Sequence, residues 1–176
     1  KCLLRFGNKT ILDYQISALL QAGISEICIV VGFEGEQIIK HVAQSYSTRW
    51  NAFTFITNPR FAETNNIYSL WLAQSWVAND GFICLNADVL CHPGIIAPAA
   101  QIRTDISMII DPAWRDETMK VIIKARRIIR MSKTITRSEF SGTYLGVTTF
   151  SDRVVKLLFE EIEKLILGDY EENQEL

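Results

Sequence analysis

Apolar positions recur along this chain with two spacings, about 3.6 residues in some segments and about two in others, and the two kinds of segment alternate. Thr10-Ile11-Leu12-Asp13 has the spacing of a capping box, so a helix is predicted to open there. Its apolar stripe is Ile11, Leu12, Ile16, Leu19 and Leu20, and Gly23 is its predicted stop. Glu26 to Val31 is a nearly continuous apolar strand, as in a sheet covered on both faces. After a turn at Gly32-Phe33-Glu34-Gly35, Glu36 to Tyr46 reads as a helix with Ile38, Ile39 and Val42 inward. Phe53 to Thr57 is a strand, Asn66 to Val77 a helix, Gly81 to Asn86 a strand and Ile95 to Ile102 a short helix. Ile106 to Ile110 is a further strand. Met119 to Lys124 and Ile128 to Ser132 read as a hairpin turned at Ala125-Arg126-Arg127. Tyr144 to Phe150 is the last strand. Ser151 is the predicted cap of a long helix with Val154, Val155, Leu158, Ile162, Leu165 and Ile166 inward, ended by Gly168. The acidic tail from Asp169 to Leu176 is expected to fray.

No linker, repeat or low-complexity tract divides the sequence, and 176 residues with 48% hydrophobic content suffice for one domain with a sizeable core. The β-α-β-α-β order predicts an α/β, Rossmann-like three-layer sandwich with a mostly parallel mixed sheet. Closely spaced strands after Ile106 put the mixed part towards one edge. A net charge of −2 implies no broad basic face, so nucleic acid is not the expected partner. The apolar runs are too short to cross a bilayer and no secretory signal pattern is present, so no membrane partner is expected. Four cysteines with no CxxC pair fit reduced thiols and a cytoplasmic setting. The chain starts at Lys1 rather than Met, which predicts that further sequence precedes it.

Several residues carry chemistry. Asp88 stands at the carboxyl end of an apolar strand, where ligands collect in open α/β sheets. A lone carboxylate there suits Mg²⁺, which keeps several waters and bridges to substrate phosphates; the alternative is a turn aspartate capping the next segment. In Asn58 to Leu70, two adjacent asparagines, Asn65 and Asn66, sit where a loop turns into a helix. They suit either recognition of a small polar molecule or a plain N-cap. Lys1, Arg5, Lys9 and Lys133 are, taken singly, solvated cations. Glu63, Glu171 and Glu172 read as solvated carboxylates and His41 as a surface or rim residue. Cys91-His92 could be half of a metal site, but no second ligand pair accompanies it. No Ser-His-Asp or Cys-His arrangement is visible.

Taken together, these segments resemble the sugar-phosphate nucleotidyltransferases. Lys1 to Leu12 is similar to the segment that follows that superfamily's glycine-rich loop, and Gly23 to Phe33 to its next strand and glycine exit. Asn86-Ala87-Asp88 is similar to its metal-binding strand end. Met119 to Lys133 and Gly142 to Val147 match in kind and order. Thr64 to Leu70 is closest to the phosphocholine cytidylyltransferase branch. The resemblance implies nucleotidyl transfer: the acceptor's phosphate oxygen attacks the α-phosphorus of a nucleoside triphosphate and pyrophosphate leaves. It implies Mg²⁺ on Asp88, Lys1 on phosphate oxygens, and Asn65, Asn66, Ser69, Tyr144 and Lys133 near the nucleotide or acceptor. The implied partners are a nucleoside triphosphate, probed first with CTP, and a small phosphorylated acceptor such as phosphocholine or a sugar phosphate; a homo-oligomer is possible. Tyr68, Trp71, Trp114 and Tyr144 are available as an aromatic wall for a quaternary ammonium group.

Two features depart from the pattern. The superfamily's first strand and glycine-rich loop are not found in residues 1–176, and no second metal-binding aspartate can be placed after the final helix. The expectation is a single domain lacking those pieces, with a non-catalytic nucleotide-binding module of the same fold as the alternative. A glycosyltransferase ranks last, because its Asp-x-Asp pair is replaced by Asn86-Ala87-Asp88.

Overall fold

A computed structural model describes residues 1–172 other than 79 and 91. A two-residue hairpin, β1 (Arg5–Phe6) and β2 (Lys9–Thr10), leads into α1 (Ile11–Gln21). The capping box forms in full: the Asp13 N–H donates to the Thr10 hydroxyl, and the Thr10 N–H donates to the Asp13 carboxylate at 2.9 Å. There follow β3 (Ile27–Val31), α2 (Gly35–Ser45), a 3₁₀ turn (Ser47–Ala52) and β4 (Phe53–Thr57). Next come α3 (Asn66–Leu72), α4 (Gln74–Val77), β5 (Phe82–Leu85) and α5 (Pro93–Ala100). The chain continues through β6 (Ile106–Asp111), β7 (Lys120–Lys124), β8 (Arg127–Ser132), β9 (Gly142–Phe150) and α6 (Asp152–Glu172).

Strand β9 is the centre of the larger sheet. Thr148 faces Cys84 of β5 on one side and Met108 of β6 on the other; Thr143 faces Lys120 of β7 and Asp111 of β6. The hairpin β7–β8 extends this sheet, turning through Ala125 and Arg126, both at positive φ. A second sheet is the parallel pair β3–β4, in register from Ile27↔Phe53 to Val31↔Thr57. Among the described residues this is the one parallel ladder, so the sheet system is mixed with a smaller parallel share than the element order predicts. Among the described residues β3, β4, β5, β6 and β8 each pair on one side only.

Helices cover both faces, as the three-layer expectation requires. One core joins Leu12 and Ile16 of α1, Val42 of α2 and Ile96 of α5 to Ile27, Phe53 and Val147 of the strands. The other packs Val77 of α4 and Val155, Phe159 and Ile162 of α6 with Leu70, Trp71 and Phe82.

Local differences from the sequence reading have physical causes. The helix predicted over 66–77 breaks at Ala73 into α3 and α4. Gly168 does not end α6; a glycine costs a helix only about 1 kcal/mol against alanine, and the helix runs on to Glu172. The Ser151 hydroxyl is buried without a hydrogen-bond partner rather than capping α6. Leu165 is exposed, and Phe159 takes the core position instead. Cys2, Cys28 and Cys84 are unpaired thiols, and burial pushes that of Cys28 up to about 11. No helix among the described residues is long and apolar enough to cross a membrane.

Candidate active site

The turn that carries Asp88 is held on three sides. The Val89 N–H donates to the Asn86 carbonyl at 3.2 Å, and the Asn86 N–H donates to the Gly146 carbonyl of β9 at 2.8 Å. From α1, the Gln15 side-chain amide donates to the carbonyls of Asn86 and Val89 at 2.8 and 2.7 Å. Gly146, at φ +74°, lets the turn press against β9: a Cβ there would lie 2.5 Å from Val89 Cγ2. With the backbone so fixed, the Asp88 side chain stands outward, 53% exposed, and Lys1 Nζ lies 3.8 Å from Oδ2. No backbone N–H caps the carboxylate, so the capping alternative for Asp88 finds no hydrogen bond among the described residues.

These donors can be weighed against a metal. No cluster of three or more His, Cys, Asp or Glu is present among the described residues, so an all-protein cage is not offered. A half-exposed carboxylate beside a lysine matches the other arrangement, in which Mg²⁺ is shared between one protein oxygen and substrate phosphates. Asp88 fits that role.

The Asn-rich loop is organised by a residue the sequence reading did not single out. Asn58 is 2% exposed. Its amide donates to the hydroxyls of Thr64 and Ser69, both at 3.1 Å, and its carbonyl oxygen accepts from the Arg60 N–H at 2.9 Å. The signal was its place directly after an apolar strand. Ser69 is thereby tied into the loop. Asn65 is the N-cap of α3, accepting from the N–H groups of Ile67 and Tyr68, so its side-chain oxygen is engaged as a cap. Asn66 is exposed. No hydrogen bond or ion pair among the described residues links Asn65, Asn66, Ser69 or Lys133 to the Lys1–Asp88 pair.

Tyr144 lies on β9, two residues from Gly146, and its hydroxyl bonds that of Thr148 at 2.8 Å. Burial raises its pKa, outweighing the hydrogen bond with Thr148. Lys133 is exposed, and its carbonyl accepts from the ammonium of Lys120 at 3.1 Å. Lys120 is buried, which its place in an alternating strand did not disclose.

Of the four candidate wall aromatics, two already face cations of the protein itself. The Arg60 guanidinium lies 5.6 Å from the Tyr68 ring centroid, and Trp114 meets both Lys120 at 4.7 Å and Arg137 at 5.1 Å. Glu63 is exposed and pairs with Arg60 at 3.3 Å. His41 is not a simple surface residue: its Nε2 lies 2.9 Å from the Asp13 carboxylate, and both side chains are largely buried. His92 caps α5, accepting from the Gly94 N–H, while Cys91 lies outside the described residues. Of two surface depressions, of about 470 and 440 Å³, the first is lined by Trp71, Leu72, Gln74, Ser75 and Ala78 and so includes one candidate wall aromatic, Trp71; the second, lined by Ser25, Glu26 and 47–52, includes none of the candidate site residues.

Residues 1–142 match the MobA-like NTP transferase domain. Among curated relatives, a CTP:phosphoglutamine cytidylyltransferase from Campylobacter jejuni is 24% identical over 96% of this chain and 73% of its own length. A choline-phosphate cytidylyltransferase from Streptococcus pneumoniae is 34% identical over 45% of the chain and 32% of its own. Among solved structures, the inositol-1-phosphate CTP transferase from T. maritima superposes with a TM-score of 0.72 at 20% identity, over 89% of this chain. The chain spans 64% of that structure's length.

Proposed function

The chain belongs to the MobA-like NTP transferase domain family, and from that premise we propose that it transfers CMP from CTP to a small phosphorylated acceptor, releasing pyrophosphate. The observation that carries the reading is the Lys1–Asp88 pair, outward-facing on a turn braced by Gln15 and Gly146 at the end of β5. The acceptor's phosphate oxygen attacks the α-phosphorus in line, and the protein's work is positioning and charge neutralisation rather than a covalent intermediate. Lys1 pairs with phosphate oxygens as a point charge. Asp88 would hold Mg²⁺, which when bound neutralises charge on the phosphate chain. Asn65, Asn66 and Ser69, where the loop that Asn58 braces runs into α3, and Lys133 are assigned to the nucleotide or acceptor, and Tyr144 to the acceptor side. The reaction is placed in the cytoplasm.

Acceptor classes follow from the relatives: a phosphorylated amino acid, phosphocholine or a sugar phosphate. The test is pyrophosphate release by the full-length protein with Mg²⁺, a panel of CTP, UTP, GTP and ATP, and these three acceptors. Release only with CTP and one acceptor is the expected result; none with any pair overturns the reading. A non-catalytic nucleotide-binding module of the same fold is the second reading, favoured by the lack of a glycine-rich phosphate-cradling loop in residues 1–176. Thermal stabilisation by CTP without turnover would select it.

A further inference from the structure

Lys120 is a lysine in an unusual place. It is 3% exposed at the start of β7, and no carboxylate among the described residues pairs with it. Its ammonium instead donates to two backbone carbonyls, Thr118 at 3.3 Å and Lys133 at 3.1 Å, and sits 4.7 Å from the Trp114 ring centroid. Trp114 is itself fixed: its indole N–H donates to Asp116 at 2.8 Å, and its ring meets Phe140 edge-on at 5.1 Å. The Thr118 hydroxyl donates to the Arg115 carbonyl at 2.9 Å, which stiffens the segment that presents the Thr118 carbonyl.

Burying an ammonium is costly, and an apolar side chain of similar length would fill the same space without that cost. What methionine could not do is tie the exit of β8 to the segment before β7. The tie falls on the peptide carbonyl of Lys133, whose own side chain is exposed. We propose that Lys120 is a positioning residue that acts through Lys133, locking its backbone so that the Lys133 ammonium is presented to the substrate phosphate. This rests on the nucleotidyl-transfer reading and takes the acceptor as the substrate that Lys133 meets.

A double-mutant cycle on the full-length protein tests it, with CTP and the acceptor that turns over fastest in the panel above. Lys133→Ala and Lys120→Met are each expected to raise the acceptor KM about tenfold or more, with kcat moving less. In the Lys133→Ala background, Lys120→Met should change the KM less than about threefold. Lys120→Arg, which keeps the charge and the donors, should recover most of the loss. If Lys120→Met does not fold, the cycle is run with Lys120→Gln, which is too short to reach the Lys133 carbonyl, and the same non-additivity is expected. Equal fold-losses in both backgrounds, an acceptor KM at the wild-type value in the Lys120 variant, or an unaffected Lys133→Ala would overturn the inference alone. Absence of turnover in the wild-type protein would overturn both the inference and the reading beneath it.

Discussion

Replacing Gln15 with leucine removes a donor without emptying the space. Gln15 is 5% exposed on α1, and one nitrogen serves two carbonyls, those of Asn86 and Val89, on either side of Asp88. After Gln15→Leu the Asn86 carbonyl keeps the Val89 N–H at 3.2 Å, whereas the Val89 carbonyl loses its Gln15 donor. Two lost hydrogen bonds, one of which leaves an under-satisfied acceptor, together cost about 2–3 kcal/mol. For a chain of this size, that lowers Tm by roughly 4–12 °C. The same change frees the turn that presents Asp88, so pyrophosphate release should fall even at temperatures where the variant is fully folded. Melting followed by circular dichroism, and turnover about 20 °C below the variant's own Tm, separate the two effects. A Tm within about 1 °C of wild type with unaltered turnover would show that α1 does not brace the turn.

Gly146→Ala puts a methyl 2.5 Å from Val89 Cγ2 at a positive φ, so strain and overpacking together should cost about 2–4 kcal/mol; a melt equal to wild type contradicts the close packing. Burial raises the Asp13 pKa, but hydrogen bonds from the Thr10 hydroxyl and N–H and from His41 outweigh it and leave the carboxyl below its usual 3.8. Asp13 therefore contributes stability that is complete above that value and is lost as pH falls through the lowered folded pKa. Tm should fall less steeply in Asp13→Asn than in wild type between about pH 5 and pH 2, and parallel curves would refute the assignment.

The sequence disclosed most where local chemistry decides structure. The Thr10–Asp13 capping box, the strand Phe53–Thr57 and the β7–β8 hairpin all form within a residue or two of their predicted bounds, because caps, β-branched runs and tight turns act over short range. It disclosed less where distant contacts decide. Nothing in Gly142–Phe150 alone makes β9 the strand that pairs with three others, and the alternation in Lys120–Lys124 gives a face without saying that a lysine will be buried on it. The same limit hid Gln15, whose partners are more than seventy residues away, and Asn58, whose partners Thr64 and Ser69 lie in a loop that has no period and on the helix after it. Asp88 was visible because an apolar strand ending in a carboxylate is a local pattern; its pairing with Lys1 across the fold was not.

The most direct measurement is pyrophosphate release by the full-length protein carrying Asp88→Asn, with CTP, Mg²⁺ and the preferred acceptor. The Lys1–Asp88 pair is exposed and contributes about 1 kcal/mol or less to stability, so Tm should stay within about 3 °C of wild type. Turnover should fall about 100-fold or more, the scale on which a single electrostatic contact to a reacting phosphate acts. Turnover equal to wild type in a folded Asp88→Asn protein would contradict the account.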